Sequence, residues 1–167
     1  MKGLKICGVS DPKTLNYILN HNQKPTMIGF ITNYEKSRRF VEYEKLKELI
    51  NVDKKNISFV SVLVNPNDEI LEKIKDLNFD YYQLYDVDAD RTNEIKSKYK
   101  IKIITAITVS SKEDVIKYKD YTNVSDVILF DSKGYHKSES FDHNLLDEVP
   151  KELNKMIAGN IQIDDIP

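Results

Sequence analysis

Short apolar runs recur along the chain and alternate with amphipathic stretches that carry Lys and Glu. The runs are rich in β-branched residues and end at polar or turn-forming clusters, which is typical of strands. They recur at about 25 residues per unit, a spacing that leaves room for one helix between consecutive strands. The predicted strands are residues 4–8, 27–31, 57–64, 81–85, 101–109, 127–130 and 156–158.

Helix-entry signals stand between these runs. Ser10-Asp11-Pro12 places a proline near the first turn of a helix, and Asn65-Pro66-Asn67-Asp68 ends one strand and opens the next helix. The sequence at 110–113 is a capping signal for a later helix. The predicted helices include 43–50, 89–99, 142–146 and one after 110–113 that carries Val115, Ile116 and Tyr118.

Near-continuous apolar strands that alternate with amphipathic helices indicate a parallel sheet covered by helices. A closed barrel and an open doubly wound sheet both have this pattern. Seven units in series, with no glycine-rich fingerprint after the first strand, favour the barrel. The prediction is an α/β chain of the TIM (β/α)8-barrel type, forming a single domain over 1–167 and ending after strand 7. Chemistry is then expected at the carboxyl ends of the strands.

Composition excludes several classes of protein. With 25 Lys and Arg against 27 Asp and Glu, the net charge of −2 predicts no nucleic-acid partner. The lack of a long apolar stretch predicts no membrane span and no signal peptide. A single cysteine allows no internal disulfide, and the three histidines lack metal-ligand spacing, so we predict no metal site. These features together predict a cytoplasmic protein.

Two strand-end residues are candidates for proton transfer. Cys7 ends the first strand and can serve as a base or nucleophile, although a free cysteine also packs as a small buried hydrophobe. Asp131 follows the sixth strand, where a carboxyl group is paired, solvated or functional. It can donate a proton, and the alternative is a helix cap or a loop turn.

Two further residues are candidates for binding. Arg39 lies in the loop after the second strand, and a guanidinium group suits carboxylate or phosphate; the alternative is a solvated surface loop. Gln83, on the fourth strand, has an amide that needs partners if buried, so it belongs to a structural network or contacts a ligand.

The chain carries an ordered set of short motifs. They are Lys5-Ile6-Cys7-Gly8, Gly29-Phe30-Ile31 with residues 36–41, residues 62–66, Gln83-Leu84, residues 129–133 with 140–142, and Ile157-Ala158-Gly159. Each motif is weak alone, but together they span nearly the whole chain, and in this order they resemble the phosphoribosylanthranilate isomerase family of tryptophan biosynthesis.

The resemblance implies an Amadori rearrangement of N-(5-phospho-β-ribosyl)anthranilate without a cofactor. It implies that Asp131 protonates the ribose ring oxygen as general acid and that Cys7 removes the C2′ proton as general base. Arg39 would bind the anthranilate carboxylate, and Lys5 and Gln83 would also contact substrate. Gly159 and Asn160 would bind the phosphate through backbone amides. The expected partner is a phosphorylated small molecule, and the expected state is a monomer or a homodimer.

The chain departs from the family pattern at several points. Tyr85-Asp86 stands where the family has His-Gly, residues 134–139 replace a glycine-rich loop, and Gly159-Asn160 replaces Gly-Gly. Strand eight is missing, and we expect that the sequence omits a C-terminal portion; the alternatives are a partner subunit that covers the gap and a degenerate relative. One alternative is a catalytically inactive relative that binds a phosphorylated ligand or a protein partner, and another is a different enzyme on the same scaffold. Retained Cys7 and Asp131 favour the isomerase over the inactive relative.

Overall fold

Strands and helices alternate along the chain in the computed structural model, which describes residues 3–132, 140–162 and 164. The chain divides into two compact units, Lys2–Leu84 and Tyr85–Pro167, called here the first and second unit. The elements are β1 Lys5–Cys7, α1 Pro12–Asn20, β2 Met27–Ile31, α2 Tyr43–Ile50, β3 Ser58–Val64, α3 Asp68–Ile74, β4 Tyr81–Tyr85, α4 Ala89–Tyr99, β5 Lys102–Val109, α5 Lys112–Ile116, α6 Tyr118–Tyr121, β6 Val127–Ser132, a 3-10 helix His143–Leu146 and β7 Lys155–Ile157.

The first unit is a parallel sheet in the order β1-β2-β3-β4. In its register Cys7 pairs with Gly29, and Gly29 pairs with Val60. Two fully buried rings, Phe30 and Phe59, meet edge to face with centroids 5.1 Å apart. Each such side chain removes a large apolar area from water, so the packing of these two rings stabilises the centre of this sheet.

The second unit contains parallel strands in the order β5-β6-β7. Ile128 and Phe130 of β6 are almost fully buried and pack in one cluster with Val115 of α5 and Tyr118 of α6. Because alternate residues of a strand point to opposite faces, Asp131 lies on the face of β6 that is turned away from these helices.

The positions of the elements agree with the sequence pattern, with three differences. Strand β6 continues to Ser132 instead of ending at Phe130, so Asp131 is held within the strand.

The expected fifth helix is divided into α5 and α6, and Ile116 is 46 % exposed. The cause is a pair of i→i−3 hydrogen bonds, from Lys117 N to Asp114 O and from Asp120 N to Lys117 O, which tighten the turn and shift its apolar face. The predicted helix 142–146 is a 3-10 helix that Asp142 caps.

Within the described residues, no helix has both the length and the apolar character needed to cross a membrane. The prediction of a single domain over 1–167 stays a prediction.

Each unit has an aspartate directly before a strand, and this side chain ties the strand to its neighbour. Asp80 Oδ2 accepts from Phe59 N at 2.7 Å and from Lys54 Nζ at 2.8 Å. Asp126 Oδ2 accepts from Ile103 N at 2.7 Å and lies 3.0 Å from Lys96 Nζ. The backbone N–H of each aspartate donates in return to the carbonyl of the same strand residue, at 2.8 Å and 2.9 Å. These paired bonds hold the register where each strand begins.

We expect Asp80→Ala to lower the free energy of unfolding by about 1–2 kcal/mol, because Phe59 N–H and the Lys54 ammonium group lose a charged acceptor. Urea denaturation followed by circular dichroism measures the change. Asp76→Ala, at an exposed position in the same unit, is the matched control and should leave the midpoint nearly unchanged. Equal midpoints for the two variants would contradict the role assigned to Asp80.

Candidate active site

The first unit turns sharply where β1 ends. Gly29 O accepts two backbone hydrogen bonds, from Gly8 N at 2.8 Å and from Val9 N at 3.1 Å. Gly8 has φ +82°, in the left-handed region that favours glycine. The turn leaves Cys7, a half-buried free cysteine, as the last residue of β1 at the carboxyl end of the sheet.

Lys5 and Cys7 share the space above Gly29. They are two residues apart, so their side chains point to the same face of β1. A Cβ added at Gly29 would lie 2.9 Å from Lys5 Nζ and 3.0 Å from Cys7 Sγ. The lack of a side chain at Gly29 is therefore what allows the ammonium and thiol groups to lie there. Gly29 was identified in the sequence only as part of a motif, and its neighbours could not be deduced from it.

Arg39 reaches the same strand end from the loop after β2. That loop is closed by a parallel bridge between Ile31 and Phe40, and Arg39 N donates to Ser37 Oγ at 3.2 Å. The guanidinium Nη1 donates to Cys7 O at 3.1 Å. The Arg39 side chain also passes over Gly8, where a Cβ would come within 2.6 Å of its Cδ and 2.8–2.9 Å of its Nε and Nη1. The structure thus brings three predicted site residues of the first unit together: Lys5, Cys7 and Arg39.

Gln83 is the fourth predicted residue of the first unit and lies in β4. It is 1 % exposed. Gln83 therefore belongs to the interior of the unit and not to its solvated surface.

In the second unit, Asp131 is half-buried near the carboxyl end of β6 and pairs in register with Thr108 of β5. Tyr85, the last residue of β4, donates from its Oη to Asp131 Oδ2 at 2.7 Å. The sequence identified Tyr85 as a departure from a family motif and, at the end of the fourth strand, as one of the positions where chemistry was expected. Its contact with the candidate acid depends on tertiary structure.

Gly159 and Asn160 follow β7 and both have positive φ, +95° and +49°. Gly159 lies against Ser132, the residue after Asp131: a Cβ at Gly159 would overlap Ser132 Oγ and come within 2.8 Å of Ser132 N. Ser132 is 7 % exposed, and its hydroxyl has no hydrogen-bond partner among the described residues. The turn after β7 therefore lies directly beside the carboxyl end of β6, and Asn160 is exposed at its outer side.

An acidic cleft of about 410 Å³ lies in the second unit beside α5 and α6, lined among others by Asp86, Asp88, Asp114 and Tyr121. Hydrogen bonds, above all from the Lys117 ammonium group, hold the pKa of Asp114 well below its usual range. Burial, with the nearby Asp88 charge, raises the pKa of Tyr121.

No group of three or more His, Cys, Asp or Glu able to hold a metal ion occurs in the described part of the chain. The absence of a metal and of a cofactor stays a prediction.

The replaced loop at 134–139 lies outside the described residues, as does Lys133 of the sixth-strand motif.

Comparison with protein families gives a match over residues 4–167 to the family described as N-(5'-phosphoribosyl)anthranilate (PRA) isomerase. The isomerase of Rhizobium leguminosarum bv. trifolii is 29 % identical over 98 % of this chain and 76 % of its own length. The isomerase of Zymomonas mobilis subsp. pomaceae is also 29 % identical, over 97 % of this chain and 79 % of its own.

Solved structures support the fold. The phosphoribosyl anthranilate isomerase of Thermotoga maritima superposes with a TM-score of 0.82 at 23 % identity, over 96 % of this chain and 78 % of that one. The Pyrococcus furiosus enzyme gives a TM-score of 0.74 at 20 % identity, over 97 % and 78 %. The predicted TIM-type α/β fold class is confirmed, and β7 is the last strand among the described residues. Because the family match covers almost the entire sequence, the chain belongs to the N-(5'-phosphoribosyl)anthranilate isomerase family of enzymes.

Proposed function

We propose that this chain converts N-(5'-phosphoribosyl)anthranilate into 1-(o-carboxyphenylamino)-1-deoxyribulose 5-phosphate, with Asp131 as general acid and Cys7 as general base. The family match over residues 4–167 carries the proposal, because the matched segment retains both residues near the carboxyl ends of their strands. In barrels of this type, catalytic residues occur at that end of the strands.

The first step is opening of the ribose ring. Asp131 gives its proton to the ring oxygen, the bond from C1′ to that oxygen breaks, and the anthranilate nitrogen lone pair forms a C1′=N iminium. General acid catalysis of this kind needs a carboxyl group that is held in place and shielded in part from water. The half-buried position of Asp131 within β6 supports this role.

The second step is proton abstraction. The Cys7 thiolate takes the C2′ proton, and the electrons of that C–H bond form a C1′=C2′ enolamine while the iminium nitrogen becomes neutral. Transfer of the C2′ hydroxyl proton to C1′ then yields the ketone product. The half-buried, free thiol of Cys7, which shares the space at Gly29 with the Lys5 ammonium group, supports this assignment.

The substrate carries a carboxylate and a phosphate, and basic groups and free backbone amides suit both. Arg39 would bind the anthranilate carboxylate, since a guanidinium group pairs with a carboxylate through two parallel N–H donors. Lys5 and Gln83 would complete the contacts with substrate. The backbone N–H groups at Gly159 and Asn160 would bind the phosphate, because successive backbone N–H groups in a turn can form a concave site for an anion.

A ligand of the proposed class is known for a related structure. A solved phosphoribosyl anthranilate isomerase, with a TM-score of 0.70 at 19 % identity over 95 % of this chain and 86 % of that one, is in complex with reduced 1-(o-carboxyphenylamino)-1-deoxyribulose 5-phosphate. A monomeric or homodimeric state and a cytoplasmic location remain part of the proposal.

We expect Cys7→Ala and Asp131→Asn each to lower kcat by on the order of 10²-fold or more, with little change in KM, because each removes a proton-transfer group. The measurement is loss of phosphoribosylanthranilate fluorescence, with the substrate generated in situ. Asp76→Asn is the control and should have the unmodified kcat. If both site variants turn over like the unmodified chain, the proposed mechanism is wrong.

Arg39→Ala should raise KM by about 10-fold with a smaller change in kcat, as expected when a contact is lost equally from ground state and transition state. Arg38→Ala, at the exposed neighbouring position, is the matched control. Steady-state titration with substrate separates the two parameters. An unchanged KM for Arg39→Ala would exclude this residue from substrate binding.

Gly29→Ala should lower kcat by about 10-fold or more, since a Cβ at this position displaces Lys5 Nζ and Cys7 Sγ and small misplacements of reacting groups are costly. The φ of Gly29 is not in the left-handed region, so alanine fits the backbone. Melting by circular dichroism checks that the fold is retained. Full activity in a folded Gly29→Ala variant would mean that the space above Gly29 is not needed for catalysis.

A further inference from the structure

Tyr85 contacts the carboxyl group to which the proposed function assigns ring opening. Its Oη donates to Asp131 Oδ2 at 2.7 Å, and both side chains are half-buried. We infer that Tyr85 is a positioning residue, which orients the Asp131 carboxyl group and determines which of its two oxygens carries the proton for the substrate. This inference rests on the proposed function.

The direction of the hydrogen bond follows from the chemistry of the two groups. A phenol ordinarily keeps its proton near neutral pH, whereas an ionised carboxylate can only accept. A protonated carboxyl group has one O–H, and its carbonyl oxygen is the stronger acceptor, so the hydrogen bond from Tyr85 to Oδ2 favours the proton on Oδ1. Tyr85 therefore leaves Oδ1 as the oxygen that delivers the proton.

Asp131 needs a hydrogen-bond partner because its strand holds the backbone but leaves the carboxyl group free to rotate. Residues on both sides of it, Phe130 and Ser132, are buried, and the pairing of Asp131 with Thr108 holds the backbone. The torsion that rotates the carboxyl plane, however, has a broad energy profile. Among the described residues, Tyr85 supplies the hydrogen bond to the Asp131 side chain, so this phenol is the group that restricts the rotation.

A purely structural role for the Tyr85 hydroxyl would give a different result on mutation. A hydroxyl bond that only stabilises the fold would lower stability and leave kcat unchanged. Tyr121 provides the matched case in the same unit, since its Oη donates to Val87 O at 2.9 Å, a backbone carbonyl in the segment between β4 and α4. Tyr85→Phe and Tyr121→Phe each delete one part-buried phenol hydrogen bond, but only the first acts on Asp131.

The test is a set of four variants of the full chain: Tyr85→Phe, Asp131→Asn, the double variant, and Tyr121→Phe. We expect Tyr85→Phe to lower kcat by about 10-fold with KM within about twofold, because a positioned proton donor is needed in the transition state and not for binding. Tyr121→Phe should keep the unmodified kcat. In the Asp131→Asn background, Tyr85→Phe should cause no further fall, because residues that act as one unit are not additive.

The outcomes separate this inference from the proposed function. If Asp131→Asn abolishes turnover while Tyr85→Phe retains full kcat, Tyr85 is not a positioning residue and the proposed function stands. A further fall in the double variant equal to that of Tyr85→Phe alone also overturns the inference. If Asp131→Asn itself keeps the unmodified rate, the proposed function fails first, and the inference fails with it.

Tyr85→His is the second variant, in case the phenylalanine variant does not fold. An imidazole N–H can donate where the phenol did. We expect Tyr85→His to have a kcat above about one-tenth of the unmodified value, and we expect this activity to be lost when Asp131→Asn is added. That result supports positioning of the carboxyl group by a hydrogen-bond donor at position 85. The inference is overturned if Tyr85→His folds and the double variant with Asp131→Asn has a fall in kcat equal to the product of the two single falls.

Discussion

Parallel pairing of consecutive strands is the constraint on which the rest of the structure depends. Once β1 pairs with β2 and β5 with β6 in parallel, the carboxyl ends of neighbouring strands meet at one edge of the sheet. A one-residue shift in register would turn every side chain to the opposite face. The hydrogen bonds of Asp80 and Asp126 where β4 and β6 begin therefore help to decide which side chains reach the opposite end.

Positions without a side chain contribute as much to the candidate site as the side chains themselves. At Gly29 there is room for Lys5 and Cys7, at Gly8 for the Arg39 guanidinium, and at Gly159 for Ser132. In each case a Cβ would overlap an atom of a neighbouring element, so the close approach exists only with glycine. The basic cluster around Cys7 in the first unit depends on two of these positions.

The second unit arranges its candidate acid differently. Asp131 is held by a strand whose opposite face packs Ile128 and Phe130 into an apolar cluster, so its backbone has little freedom. Its carboxyl group is oriented by a hydrogen bond from Tyr85, a residue that departs from the family motif. A phenol in this place keeps a donor next to the acid, which connects a departure from the family sequence with a specific task in the proposed reaction.

The sequence by itself determined the order and type of the strands and most helices, since apolar runs and caps such as Asp11 and Asn67 are local features. Through ordered motifs it also indicated the family and nominated Cys7, Asp131 and Arg39 for the site. Only tertiary structure decided that Asp131 lies within β6, and that Gly29, Ser132 and Tyr85 contact site residues. The physical reason is that these features depend on register and on contacts between distant residues, for example the 46 positions that separate Tyr85 from Asp131. Neither the apolar periodicity of the sequence nor the local propensity of its residues can predict such contacts.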